Sequence, residues 1–208
     1  SMMKPVTGHK GSVGLRTHVH GFEVHSSLCH TGVSAVMTAA RLVAWLDDRT
    51  TENAARVDRD PLSEPFEPPF TTLHVGRIAG GTAHNITAKD CTFSTDIRTV
   101  PPETPEQWRE RYMEEVARLE ARIKAIRPET RIEVTVTGRV PGLRREKDGE
   151  AESLVRALTG DNGEHVVSYG TEAGQFQEAG YSSVICGPGS IEQAHQPNEY
   201  ISVAQLEA

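Results

Sequence analysis

The chain has 208 residues, of which 37% are apolar and 25% are charged, a balance typical of a globular protein and not of a disordered one. A formal net charge of −7 and a pI of about 5.7 argue against nucleic acid or an anionic membrane surface as the main partner. No apolar run approaches the ~20 residues of a membrane span, and the three cysteines lack metal-binding spacing. We therefore expect a cytoplasmic protein with reduced thiols and no membrane partner.

The first elements along the chain alternate between strand and helix patterns. Residues 13–20 alternate apolar and polar side chains, which predicts a half-buried strand. Residues 32–46 follow a helical period, with Thr31 as the expected N-cap. The predicted apolar stripe of this helix is Val33, Val36, Met37, Ala40 and Val43. After a proline-rich loop, two further strands are expected at residues 70–79 and 90–98.

The clearest helix begins at a capping-box pattern. Thr104 and Gln107 have the spacing of that motif, and Pro105 occupies the first helical position. The apolar stripe comprises Trp108, Tyr112, Val116, Leu119, Ile123 and Ile126. A strand at residues 131–138 follows. The order strand, helix, strand, strand, helix, strand predicts an α+β, ferredoxin-like (split βαβ) unit: an antiparallel four-stranded sheet with two helices on one face.

The pattern changes after about residue 140. Two short, buried-type strands are predicted at residues 165–170 and 182–187, with a helix between them at about 171–179. This βαβ order is usual in parallel sheets, but two short strands cannot form such a sheet alone. The last third therefore indicates a piece of a larger α/β domain.

Four stretches of the chain resemble the M20 family of metallopeptidases and aminoacylases. They are "KGSVGLRTHVHGFEVHSS" with "TGVSA" (10–35), "GGTAHNI" with "STDIR" (80–98), "SYGTEAGQF" (168–176) and "CGPGSIEQAHQPNEYI" (186–201). The last two resemble the acetylornithine deacetylase branch. The resemblance implies a dimerisation or lid domain at residues 9–139 and the C-terminal portion of an α/β zinc-peptidase catalytic domain at residues 140–208. It also implies a homodimer that pairs through the lid.

The resemblance assigns roles to several side chains. His25 would reach the partner subunit's active site and stabilise the oxyanion, while Asn85 and Arg98 would hold the substrate carboxylate. His195 would bind metal. Glu172 would face the substrate's side-chain amine, or else simply favour a helix start through the dipole. Gly187 would offer a turn N–H to a substrate carboxylate, with a plain turn as the alternative.

The same resemblance implies two zinc ions per subunit, held by an HxD motif, a bridging aspartate, paired glutamates, a further acidic residue and a C-terminal histidine. Only that last residue, His195, has a counterpart. The pair Glu114–Glu115 lies on the polar face of a predicted helix and indicates solvated surface. His18 and His20 could imitate a metal pair on one strand face, but we favour surface histidines. We therefore expect a chain that lacks the N-terminal catalytic half and does not bind zinc fully.

The intact protein is expected to be a zinc-dependent amidohydrolase that removes acetyl from N-acetyl-L-ornithine. Two alternatives within the family stay open: a succinyl-diaminopimelate desuccinylase and an aminoacylase, both acting on N-acyl amino acids. A third alternative is that these 208 residues act as a non-catalytic dimerisation module. The absent HxD and paired carboxylates favour that last description for the chain by itself.

Overall fold

A computed structural model of the chain describes residues 1–56, 58–194 and 196–207. The strands are β1 Val6–His9, β2 Gly11–His20, β3 Thr72–Gly80, β4 Asp90–Thr99, β5 Arg131–Val140 and β6 His165–Val167. The helices are α1 Ala35–Ala55, α2 Pro105–Lys124, α3 Glu150–Thr159, α4 Ala173–Glu178 and α5 Val203–Leu206, and a 3₁₀ turn spans Ser26–Thr31. Within the described ranges, no helix combines the length and apolar character that a membrane span requires.

The main sheet has four strands in the order β3-β4-β2-β5, and every neighbouring pair is antiparallel. The central strand β2 pairs along its whole length with β4, from Gly11 opposite Thr99 to His20 opposite Asp90. Chain order through this unit is β2, α1, β3, β4, α2, β5. The predicted α+β class and order of elements are confirmed. The sequence patterns did not predict β1.

The core lies between the sheet and the two long helices. Every second residue of β2 and β4 is buried, because successive side chains of a strand point to opposite faces. Thr17 of β2 and Tyr112 of α2 are both buried, and their hydroxyl oxygens lie 2.7 Å apart. This contact joins the sheet to α2 without leaving a polar group unpaired. The opposite face, which carries His18 and His20, is called the open face below.

The start of α1 differs from the prediction. Ser34, not Thr31, caps the helix, and its hydroxyl accepts the Met37 N–H. Thr31 instead ends the 3₁₀ turn and donates to the Leu28 carbonyl. The buried stripe of α1 is Ala35, Thr38, Ala39, Leu42, Leu46 and Asn53. Met37 and Ala40 were wrongly placed in the core: both are exposed, Met37 by 63%, because the face of α1 that packs on the sheet is the one that carries Thr38, Ala39 and Leu42.

The prediction for α2 is confirmed in detail. Thr104 and Gln107 form the reciprocal capping box, and Pro105 begins the helix. Five of the six stripe residues are buried, namely Trp108, Tyr112, Val116, Leu119 and Ile123. Ile126 is half exposed because it lies beyond the last helical residue, Lys124.

A second, smaller sheet joins the first residues of the chain to its last third. β1 pairs in parallel with β6, so the predicted strand at residues 165–170 forms only over its first half. The predicted strand at residues 182–187 does not form: Ile185 makes a single antiparallel bridge to Val6. The short β1 offers four residues for pairing, and Val6 is shared between His165 and Ile185.

Candidate functional site

A short ladder beyond the end of β2 brings together two of the predicted site residues. The Ser26 N–H donates to the Asn85 carbonyl at 2.8 Å, and His25 bridges Ile86 in antiparallel fashion. Thr87 extends the ladder, because its N–H donates to the Val24 carbonyl at 2.9 Å. His25 and Asn85, which are distant in sequence, therefore lie on adjoining backbone segments.

The side chain of His25 caps the 3₁₀ turn. Its Nδ1 accepts the Ser27 N–H at 3.3 Å and lies 2.8 Å from the Ser27 hydroxyl. A neutral imidazole that accepts at Nδ1 carries its proton on Nε2, which is then a hydrogen-bond donor. Because His25 is exposed, this donor is placed on the molecular surface.

Arg98 lies at the opposite end of β4. It pairs with Ser12 of β2, and its Nε donates to Asp96 Oδ2 at 2.8 Å. Arg98 is eight residues along the strand from Asp90, which corresponds to about 26 Å at the rise of an extended strand. Within one chain, therefore, Arg98 is not brought together with His25 and Asn85.

Two buried ionisable residues near Arg98 were not singled out from the sequence. His9 donates from Nδ1 to the Lys10 carbonyl at 2.9 Å and accepts the Gly174 N–H at Nε2. Lys10 Nζ donates to the Pro68 carbonyl at 2.7 Å. Burial lowers the pKa of Lys10 to about 8; Glu67 opposes this shift and Arg98 adds to it. The "HK" pair precedes residues 13–20, the first stretch whose pattern predicts a strand, so the sequence did not indicate its burial.

The two C-terminal substrate candidates lie in different settings. Glu172 is exposed, precedes α4 and makes no side-chain cap. The Gly187 N–H, expected to face a substrate carboxylate, donates to the Ser1 hydroxyl at 2.9 Å. The carbonyl of Gly187 accepts from Met3 N–H and the Ser1 hydroxyl. In this structure, the chain's own N-terminus thus occupies the turn.

Among the residues that the structure describes, those with a role by resemblance do not form a two-zinc centre. His195 lies outside the described residues. Within residues 1–56, 58–194 and 196–207, one group of ligating side chains lies close enough to hold a metal, namely His18, His20 and Asp90. None of the predicted site residues belongs to it. A single family ligand cannot hold zinc, which needs about four.

Comparison with known sequences identifies relatives over the whole chain. This chain is 37% identical over 205 residues to the acetylornithine deacetylase of Myxococcus xanthus. The alignment covers 97% of this chain and 51% of that protein. The acetylornithine deacetylase of Proteus mirabilis is 30% identical over 206 residues, covering 99% of this chain and 50% of that protein. The chain spans about half the length of the curated relatives it matches.

Solved structures share the fold at lower identity. The aminopeptidase PepT of Bacillus cereus superposes with a TM-score of 0.64 at 20% identity, over 99% of this chain and 51% of that one. A tripeptidase of Staphylococcus aureus superposes with a TM-score of 0.63 at 21% identity, over 90% of this chain and 46% of that one. The sequence pattern of the M20 peptidase dimerisation domain matches residues 7–124, which is more than half of the chain. The chain therefore belongs to the M20 peptidase dimerisation domain family.

Proposed function

We propose that this chain forms the dimerisation domain (residues 9–139) and the C-terminal catalytic portion (residues 140–208) of a zinc-dependent amidohydrolase. Its substrate is N-acetyl-L-ornithine, which is cleaved to ornithine and acetate. The observation that carries this proposal is 37% identity to an acetylornithine deacetylase across nearly the whole chain. By themselves, the 208 residues act as a dimerisation module, because His195 is the one ligand of the catalytic zinc centre that they contribute.

The placement of the site residues supports a division of work between two subunits. Arg98 lies about 26 Å along β4 from Asp90, and the ladder that carries His25 and Asn85 adjoins the Asp90 end, so one small substrate cannot reach both within one chain. In a two-fold dimer, Arg98 then binds the substrate carboxylate in its own subunit, with its planar guanidinium suited to bidentate contact. His25 and Asn85 serve the partner's active site.

His25 is suited to stabilise developing negative charge. Its Nδ1 is engaged by Ser27, so the ring holds its proton on Nε2. An N–H donor that is already oriented lowers the energy of the oxyanion formed when water attacks the amide carbonyl. Zinc, when bound through His195 and ligands that these residues do not contain, would activate that water by lowering its pKa towards ~7.

Mixed dimers of the full-length enzyme test this division. The variants His25→Ala and Arg98→Ala are co-expressed with two different tags, and dimers that carry both tags are isolated. Each pure variant should lose about 100-fold or more in kcat on N-acetyl-L-ornithine. The mixed dimer contains one intact site, so it should recover about half of the wild-type activity.

The matched control combines His25→Ala with Asn85→Ala. Since both residues serve the partner's site, each site in this mixed dimer lacks one of them, and we expect no recovery. Recovery in the control, or none with Arg98→Ala, would contradict the assignment of residues to subunits. If the wild-type enzyme cleaves N-succinyl-diaminopimelate faster than N-acetyl-L-ornithine, the proposed substrate is wrong.

A further inference from the structure

The open face of the sheet carries a group of metal-ligating side chains. His18 and His20 are two residues apart on β2, so both point to this face. Asp90 is directly opposite His20 on β4. His18, His20 and Asp90 each present one ligand atom, and these three atoms lie within 4.8 Å of one another.

The distances are close to those of a tetrahedral metal site. His18 Nε2 lies 2.8 Å from Asp90 Oδ1, and His20 Nδ1 lies 3.4 Å from the same oxygen. Zinc bonds of about 2.0–2.2 Å place tetrahedral ligands roughly 3.3 Å apart. The centroids of the two imidazole rings are already 3.7 Å apart, with the ring planes inclined by 38°. Small side-chain movements therefore suffice to bring the three ligand atoms within bonding distance of one ion.

A fourth residue supplies an independent indication. Glu133 of β5 lies opposite His18, and its Oε2 is 3.2 Å from His20 Nε2. That nitrogen is buried and makes no well-aligned hydrogen bond, and the Glu133 carboxylate is the charged group beside it. Metal-binding histidines usually direct the second ring nitrogen at a carboxylate, which fixes the tautomer. Arg131 Nε donates to Glu133 Oε1 at 2.6 Å and holds that carboxylate in place.

In place of the surface histidines that the sequence favoured, we propose that His18, His20 and Asp90 bind one divalent transition-metal ion, with Glu133 orienting His20. Two imidazoles and one carboxylate suit zinc, copper or nickel better than magnesium or calcium, which prefer oxygen ligands. The side chains of His18 and His20 are 34% and 19% exposed, so an ion reaches them from solvent while the rings stay held by their neighbours. Three protein ligands leave one position for water. The bound ion would link β2 to β4.

This site does not rest on the proposed function, because none of its four residues has a role there. Zinc chloride is the probe, and binding to the 208-residue chain is measured by calorimetry and by elemental analysis after dialysis. We expect one zinc ion per chain. His18→Gln and His20→Gln should each weaken binding by more than about 100-fold, and Glu133→Gln by about 10-fold.

Two control variants separate this site from other histidines. His74→Gln changes an exposed histidine on β3, and His195→Gln removes the proposed family ligand; both should leave zinc affinity unchanged. Ring ¹⁵N shifts should move on zinc addition for His18 and His20. Thermal unfolding without metal checks that each variant folds. If the histidine variants fail to fold, Glu133→Gln still tests the site, because it keeps all three ligands.

The proposal is overturned if the wild-type chain binds no zinc, or if the His18→Gln/His20→Gln double variant still binds one ion per chain. It is also overturned if His195→Gln abolishes binding, or if Glu133→Gln folds and binds as tightly as the wild type.

Discussion

The four-stranded unit (residues 11–140) and the C-terminal segment (residues 141–207) differ in what they bury. The first encloses a continuous core between its sheet and two helices. In the second, Leu143 is the last buried apolar side chain of the described residues. Leu158 is 76% exposed and Phe176 is 58% exposed. Both parts form helices and at least one strand, but within the described residues only the first part buries a core. Sequence patterns that specify secondary structure therefore do not by themselves create a core.

Polar contacts and β1 hold the C-terminal segment in place. Arg139 of β5 forms a bidentate pair with Glu178 at 2.6 and 3.0 Å, and Glu146 accepts from Ser182 and Gln177. Exposed ion pairs of this kind contribute little, about 0–1 kcal/mol each. The segment therefore depends on its pairing with β1 and on weak polar contacts, and we expect it to be the less stable part.

The largest contrast should come from one substitution made in both parts. Leu42→Ala removes a fully buried side chain of α1 and should cost about 2–5 kcal/mol in the free energy of unfolding. Leu158→Ala removes an exposed side chain of α3 and should change it by about 0.5 kcal/mol or less. Urea unfolding followed by circular dichroism measures both. Equal costs would mean that α3 packs against a core of its own.

A smaller effect is expected from His9 of β1, which accepts the Gly174 N–H of the C-terminal segment. Burial lowers the pKa of His9 below its ordinary value of 6.5, although the Lys10 carbonyl and Glu172 oppose the shift. The folded chain thus favours neutral His9, and the unfolded chain takes up the proton first as the pH falls. The contribution to stability is complete above pH 6.5 and is lost as the pH falls from there towards the folded-state pKa.

We therefore expect His9→Gln, which keeps one donor and one acceptor, to weaken the loss of stability between pH 7.5 and pH 5.5. Unfolding midpoints in urea at several pH values provide the measurement. His74→Gln is the matched control, since that histidine is exposed on β3. An identical pH dependence in the wild type and His9→Gln would show that His9 titrates alike in the folded and unfolded chains.

The sequence predicted α2 better than α1 for a physical reason. In α2, the capping box, the proline and the large apolar side chains all indicate the same start and the same buried face. In α1, Thr31 and Ser34 are both good caps, and a stripe rich in alanine and valine gives a weak period. The choice of Ser34 depends on the 3₁₀ turn, which the sequence pattern did not reveal.

The resemblance indicated which residues belong to the candidate site, but the sequence did not show where they lie relative to one another on the sheet. Motifs indicated His25, Asn85 and Arg98, yet their placement at two ends of β4 follows from strand pairing. For the same reason, the sequence did not show that the Glu133 carboxylate lies beside the His20 ring. Periodicity predicts which face a side chain is on, while the partner across the sheet depends on register between distant strands.

Amide hydrogen exchange of the 208-residue chain tests the central claim, that the four-stranded unit has its own core and the C-terminal segment does not. We expect strong protection in β2, β4 and the buried face of α2, and weak protection across residues 141–207, including residues 182–187. Equally strong protection in both parts would contradict the claim, because it would show that the C-terminal segment unfolds only together with the rest of the chain.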